Sequence, residues 1–165
     1  MLRRYYMGRM PITKSGFEKL KKELEMYKTV YLPANIKDIE VARGHGDLSE
    51  NAEYSAAKER QSHIHGKIQE IENNLALSDV IDLTSVCTDK AVFGATVCIE
   101  ETDTGKSTKY QLVGPLESDL SANKISVTAP LGKAMIGKRT GDAIEVKAPG
   151  GLRKFEIVEI IYDTD

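Results

Sequence analysis

The strongest constraint in this sequence is an apolar seam that advances in steps of three and four. Phe17, Leu20, Leu24, Tyr27 and Tyr31 step by 3, 4, 3 and 4, which places them on one stripe of an α-helix and makes a heptad seam. Thr13 or Ser15 can cap the start of that helix with a side-chain oxygen. Pro33 has no N–H to give to the preceding turn. The seam resumes one residue out of register at Leu32, Ile36 and Ile39, so a kink is expected there. Gly44-His45-Gly46 then permits a tight reversal. Beyond it Ile64, Ile68, Ile71 and Leu75 step by 4, 3 and 4. Two segments of about 29 residues, roughly 43 Å each, around a short turn predict an antiparallel coiled-coil hairpin over residues 10–78, with its tip at 43–54.

The distal half of this hairpin is poor in large apolar residues. Between Val41 and His63 they are Leu48 and Tyr54, with alanines at 42, 52, 56 and 57. An alanine seam is thin and demands close approach of the helices. Most of the burial is therefore expected at the base, from Leu20, Leu24, Ile68, Ile71 and Leu75. A thin polar tip is a costly arrangement unless it enters something.

After residue 78 the texture changes. Short β-branched runs alternate with Gly, Pro and Asp breaks and read as strands at Ala95–Glu100, Lys109–Val113, Lys124–Thr128, Ala143–Lys147 and Phe155–Ile161. Leu131–Lys138 is a short helical candidate, with Pro130 favourable at its first turn. Pro149-Gly150-Gly151 reads as the turn joining the last two strands. Residues 79–165 thus predict a small antiparallel sheet packed on one short helix, and the whole chain is α+β in two domains.

Composition narrows the functional classes. A chain of 165 residues with 41% hydrophobic residues is not disordered. No run approaches the roughly 20 apolar residues of a membrane span, and no secretory leader is visible behind the basic N-terminus. Cys87 and Cys98 read as reduced cytosolic thiols, so a cytoplasmic location is expected. The net charge of −2 argues against a generic nucleic-acid binder. That average conceals a net +2 over residues 1–78 and a net −4 over 79–165.

The residues with most chemical potential lie in the turn. Asp47 and Glu50 are three apart, so on a helical turn their Cβ atoms come within about 5–6 Å. Asp-x-x-Glu is itself a capping box, with Asp47 at the N-cap and Glu50 at N3. The same pair could hold a hard divalent cation such as Mg²⁺, which usually takes one or two carboxylates plus waters and phosphates. Glu53 could not complete a cage, so a metal function would need ligands from another molecule. The tip has the makings of half a site. Arg43, Lys58 and Arg60 form a modest basic flank or simply solvate the helix surfaces. His63 and His65 point to different faces, His45 reads as an exposed loop residue, and the cysteines lack zinc spacing. No phosphate loop or nucleophile elbow is present.

These residues carry a resemblance. The block His45-Gly46-Asp47-Leu48-Ser49-Glu50-Asn51-Ala52-Glu53-Tyr54 is similar to the tip motif of the bacterial transcript cleavage factors of the GreA type. Further blocks agree in order: Pro11-Ile12-Thr13, Gly16-Phe17-Glu18-Lys19-Leu20, Val80-Ile81-Asp82, Phe93-Gly94-Ala95-Thr96-Val97, Ile125-Ser126-Val127, Pro130-Leu131-Gly132-Lys133-Ala134 and Pro149-Gly150-Gly151. The match runs from about Met10 to Ile161. Residues 1–9 fall outside it and are expected to be a disordered leader, with Met7 or Met10 as alternative starts.

The resemblance implies a coiled-coil hairpin and a C-terminal domain of FKBP-like fold. It implies that the hairpin enters the secondary channel of bacterial RNA polymerase and reaches the 3′ end of a backtracked nascent RNA. Asp47 and Glu50 would then help to hold a second Mg²⁺ and its attacking water, no metal being bound by the chain alone. Arg43 and Lys58 match basic positions that face RNA or polymerase, and Ser49 belongs to the tip scaffold beside them. Thr128, Ala129 and Pro130 match a loop that docks on polymerase; where many relatives have Ser, this chain has Ala129. The polymerase would complete a two-metal hydrolysis, and this chain would act in trans without turnover of its own.

Three other readings compete. A same-shaped inhibitor of RNA polymerase would carry an altered, more acidic tip. A peptidyl-prolyl isomerase would need an aromatic-lined pocket, for which residues 79–165 offer Phe93, Tyr110, Phe155 and Tyr162. A coiled-coil adaptor would have dispensable tip carboxylates. Within the family, the mixed segment Ser55-Ala56-Ala57-Lys58-Glu59-Arg60 favours the GreA type over the more basic GreB type.

Overall fold

A computed structural model of the chain describes residues 9–44, 52–82, 89–148 and 151–162. The chain divides into two compact units. One comprises residues 17–77; the other is formed by the N-terminal segment up to Gly16 together with Ser78 onward. Each is described by itself.

The first unit is the hairpin. A continuous helical run is made of α1 (Lys14–Met26), a π turn (Tyr27–Tyr31) and α2 (Leu32–Gly44), and it packs against α3 (Ala52–Leu77). The seam of α3 follows Tyr54, Ala57, Gln61, Ile64, Ile68, Ile71 and Leu75 in unbroken steps of three and four, all buried or half-buried. On the other strand of the hairpin the seam runs Phe17, Leu20, Leu24, Tyr27, then Leu32, Asn35, Ile39 and Ala42. The step from Tyr27 to Leu32 is five, one more than a heptad allows. A π turn supplies that extra residue: the Leu32 N–H bonds to the Tyr27 carbonyl, five residues back.

The interruption expected at Pro33 is therefore a π turn immediately before it. A proline ring crowds the carbonyl four residues earlier, and a widened turn relieves that crowding. The resumed seam also differs from the expected one. Leu32 and Ile39 lie on it, but Ile36 is 42% exposed and Asn35 takes its place at 1%. An uninterrupted α-helix would have turned Tyr31, Ala34, Asp38 and Val41 inward. Instead Tyr31 and Val41 are exposed, and Asp38 stays at the surface, ion-paired with Arg60 of α3 at 3.0 Å. Either phase brings one polar residue into the seam. A neutral amide costs less to bury than a carboxylate, and the observed phase buries the amide.

Burial along the seam departs from expectation as well. At the base, Leu20, Leu24, Ile68 and Leu75 are only half-buried, and Ile71 alone of that group is fully enclosed. Toward the tip Asn35, Ile39, Ala42, Ala57 and Ile64 are all buried. Small side chains let the helices close up, so less apolar surface is needed to exclude water there.

The second unit is a mixed sheet of five strands in the order β5-β4-β3-β7-β6, formed by β3 (Thr96–Glu101), β4 (Ser107–Val113), β5 (Lys124–Ser126), β6 (Ala143–Ala148) and β7 (Gly151–Ile161). All five anticipated strands are present. The sheet is antiparallel except that β4 and β5 pair in parallel, Gln111↔Lys124 to Val113↔Ser126. The connection between them explains this: two short 3-10 turns, Pro115–Glu117 and Leu120–Ala122, carry the chain back before Asn123 reverses it at φ 53°. The β6–β7 register runs down to Ala148↔Gly151; residues 149 and 150 of the expected turn lie outside the described residues. The short helix α4 (Pro130–Met135) drives Met135 into a core of Val97, Ile99, Leu112, Ile144 and Ile157. Burying each such side chain contributes about 1.5–3 kcal/mol.

This unit also contains a two-stranded parallel sheet that the sequence did not announce, β1 (Met10–Ile12) paired with β2 (Ser78–Val80). Three-residue strands carry too little alternation to be read. The expected hairpin boundary at residue 10 thus differs from the structural division, in which residues up to Gly16 group with the sheet. Thr13 explains why. Its hydroxyl caps α1 by accepting the Gly16 N–H at 3.0 Å, as anticipated, and donates to Glu117. The Thr13 N–H donates to the other Glu117 oxygen at 2.8 Å. A Cβ at Gly16 would sit 2.1 Å from Glu117, and one at Gly114 would sit 1.9 Å from the Pro11 carbonyl oxygen. Glu117→Ala is expected to cost about 1.5–3 kcal/mol, the range for a hydrogen bond to a charged group, and Glu117→Gln less. Reversible thermal unfolding of the three proteins checks this ordering.

Candidate functional site

Asp47, Ser49 and Glu50, the central residues of the expected site, lie outside the described residues, as does His45. What the structure builds is the pair of helix ends that flank them. Arg43 is in the last turn of α2, where a cation faces the negative end of the helix dipole. Its guanidinium lies over the ring of Tyr54, in the first turn of α3, 5.9 Å from the ring centroid. The contact is a cation–π interaction between the two helices. Lys58 stands one turn further along α3 and donates to Gln61 at 2.7 Å.

Arg43 and Lys58 meet at one shallow groove, which they line with Ile36, Ile39, Glu40 and Gln61. Its lining is mixed: two isoleucines, the Glu40 carboxylate, the Gln61 amide and the two cations. Arg60 does not join them, because Asp38 holds its guanidinium at 3.0 Å; of the three basic residues anticipated as a flank, two converge. The two cations of such a surface can orient a phosphate or a carboxylate. Tyr54 and Gln61 were not singled out from the sequence as partners of the basic pair. Tyr54 could have been found from its place four residues before Lys58, on the same helical face.

The remaining candidate residues sit in the other unit. Ser126 ends β5, and its hydroxyl accepts the Thr128 N–H at 3.1 Å and bonds the Thr128 hydroxyl at 2.7 Å. The Ala129 N–H returns to the Ser126 carbonyl at 3.0 Å. This tight turn leaves Thr128 and Pro130 exposed, with Ala129 half-buried between them. Ala129 occupies the N-cap of α4 in extended conformation and offers no side-chain acceptor, while Pro130 fills the first turn. α4 packs closely on this loop: a Cβ at Gly132 would lie 2.0 Å from the Ser126 carbonyl oxygen.

Among the described residues no group of three His, Cys, Asp or Glu side chains could hold a metal ion. His63 and His65 are exposed on α3, and Cys98 is a buried free thiol. The perturbed proton affinities lie away from both candidate surfaces. A hydrogen bond from Arg153, and then one from Thr104, hold Glu101 below the usual carboxylate range. A hydrogen bond to Glu70 raises Lys67. Burial, and then the charge of Asp89, raise Tyr162, whose hydroxyl donates to the Lys90 carbonyl. Phe155 belongs to the core and Tyr110 packs against it, so these rings are spent on packing. Among the described residues no helix is long and apolar enough to cross a membrane.

Comparison with known proteins divides the chain at a similar place. Residues 10–80 match the family model described as the N-terminal part of transcription elongation factors, and residues 86–162 match the GreA/GreB C-terminal model. The chain belongs to the GreA/GreB family of transcription elongation factors. It is 70% identical over 154 residues to the transcription elongation factor GreA of Syntrophus aciditrophicus, covering 93% of this chain and 96% of that one. It is 49% identical over 156 residues to the GreA of Anaeromyxobacter, with 94% of each covered.

Because α4 packs closely on the Thr128–Pro130 turn, Gly132→Ala is expected to destabilise the protein by about 1–3 kcal/mol, the usual cost of forcing an extra methyl into a packed site. Denaturant unfolding should show the loss, and amide shifts at Thr128 and Ala129 should report the displaced loop.

Proposed function

We propose that this chain stimulates the RNA polymerase's own cleavage of backtracked RNA, in the cytoplasm, by bringing its hairpin end to the polymerase active centre. The observation that carries the reading is the convergence of Arg43 and Lys58 on one groove at the end of a thin two-helix stalk, next in sequence to Asp47 and Glu50. The name shared by its relatives, transcription elongation factor GreA, supports it.

The stalk suits insertion. Alanines at 42 and 57 are buried in the seam, and small side chains let two helices approach to about 8 Å. The end is therefore narrow, and it costs little apolar surface to expose. Asp47 and Glu50 offer the oxygen donors that Mg²⁺ takes, in the number it usually accepts from a protein. Bound between them and the polymerase, the ion would supply a lowered water pKa and charge neutralisation at phosphorus. Two carboxylates without further ligands hold such an ion weakly, so the chain has half a site and no hydrolysis of its own. Arg43 and Lys58 bind and orient RNA phosphate oxygens; Tyr54, beneath the guanidinium, limits the directions in which Arg43 can reach. Ser49 belongs to the segment that carries the two carboxylates. The Thr128–Ala129–Pro130 turn docks on the polymerase surface, where Thr128 and Pro130 give the contact and Ala129 adds no hydroxyl.

In a purified stalled elongation complex, Asp47→Asn or Glu50→Gln is expected to abolish stimulated cleavage while polymerase binding changes by less than about twofold, since neither change adds bulk. Normal cleavage by both variants would sink the metal-holding role. The protein with Mg²⁺ and RNA but without polymerase should release no fragments over the same period.

A further inference from the structure

Asn35 is the fully buried polar residue of the hairpin seam among the described residues, and apolar packing does not explain it. It is 1% exposed, and its side-chain N–H donates to the Ala57 carbonyl of α3 at 2.9 Å. Among the described residues its Oδ1 is the buried side-chain atom that finds no protein partner. Large apolar neighbours on the same helix are left outside: Ile36 at 42%, Tyr31 at 45% and Val41 at 61% exposed. A seam chosen for burial alone would have taken Ile36 or the pair Tyr31 and Val41.

We propose that Asn35 is a positioning residue: its bond to the Ala57 main chain fixes which face of α2 meets α3, at the expense of seam stability. The need for such a pin follows from the seam around it. Ala42 and Ala57 are small knobs, and small knobs distinguish poorly between neighbouring registers. A directional hydrogen bond from a seam side chain to the facing main chain discriminates where packing does not; a single polar seam residue that sets register and lowers stability is a known use of buried amides. The bond is well placed to do this. Ala57 is one helical turn from Tyr54 and adjacent to Lys58, and Asn35 is two turns from Arg43. Rotating α2 by one residue turns it by about 100°, which would lift Arg43 from the Tyr54 ring and take it out of the groove it shares with Lys58. The functional consequence rests on the proposed role of that basic pair.

The test uses the full chain with Asn35→Leu, which adds apolar seam, and Asn35→Ala, which removes the bond without adding bulk. Spin labels on K37C and E59C, exposed positions on α2 and α3, in a C87S/C98A background report the helix-to-helix distance. With Asn35 one narrow distance is expected; both variants should broaden it or add a second population. Asn35→Leu should melt no lower than the parent, yet lower stimulated cleavage by at least about fivefold, the discrimination one hydrogen bond can give. An unchanged narrow distance in both variants overturns the register role. A broadened distance with full cleavage overturns the positioning role. If the parent itself stimulates no cleavage, the functional reading fails, and the distance measurement still decides whether Asn35 sets the register.

Discussion

The hairpin depends on one inserted residue. Between Tyr27 and Leu32 the seam takes a step of five, and the π turn that accommodates it rotates everything beyond by one position. Which side chains face α3 in the distal half, and therefore where Arg43 points, follows from that rotation. The cause is local and steric on one side, through Pro33, and electrostatic on the other. An uninterrupted helix would bury Asp38, whereas the observed one leaves it to pair with Arg60 at the surface. Exposed ion pairs contribute little by themselves, about 0–1 kcal/mol. What matters is the avoided cost of enclosing a carboxylate, which is several times larger.

The globular unit is organised by a comparable economy. Thr13, directly after β1, caps α1 and donates twice to Glu117, so one carboxylate links the end of a strand, a helix start and a 3-10 turn. Gly114 and Gly16 permit this because no Cβ fits at either position. The β1–β2 pairing then sets the residues that precede α1 beside those that follow α3.

Much of this was legible in the sequence, for stated reasons. The α3 seam is regular, and its steps of three and four identify its buried face directly. The strands from Thr96 to Ile161 alternate and are bounded by Gly, Pro and Asp, so their existence and order could be read. Asn35 could not, because a search for apolar periodicity passes over a polar residue and selects Ile36 beside it. The π turn was visible only as a register slip, which a proline kink would also produce. The parallel pairing of β4 with β5 depends on Asn123 and two 3-10 turns, whose geometry has no periodic signature. At the candidate site, Arg43 and Lys58 were legible as charges; that they share a groove, and that Arg60 is withdrawn from it by Asp38, required the register.

The thin distal seam and the buried amide are two sides of one compromise. Replacing large knobs with alanine narrows the stalk, but it also removes the interlocking that normally prevents helices from sliding or rotating. Packing of alanines and a few isoleucines discriminates weakly between phases, so polar groups decide: Asp38 opposes the neighbouring phase and Asn35 favours the observed one. Adding apolar bulk would sharpen the discrimination and thicken the stalk. A hydrogen bond of 2.9 Å from Asn35 to Ala57 adds that discrimination without adding width, and burying a polar amide in place of an apolar side chain is its cost. The choice makes physical sense for an element selected for slenderness and for the angular placement of its end, rather than for stability. In an isolated structural coiled coil the same position would gain from leucine.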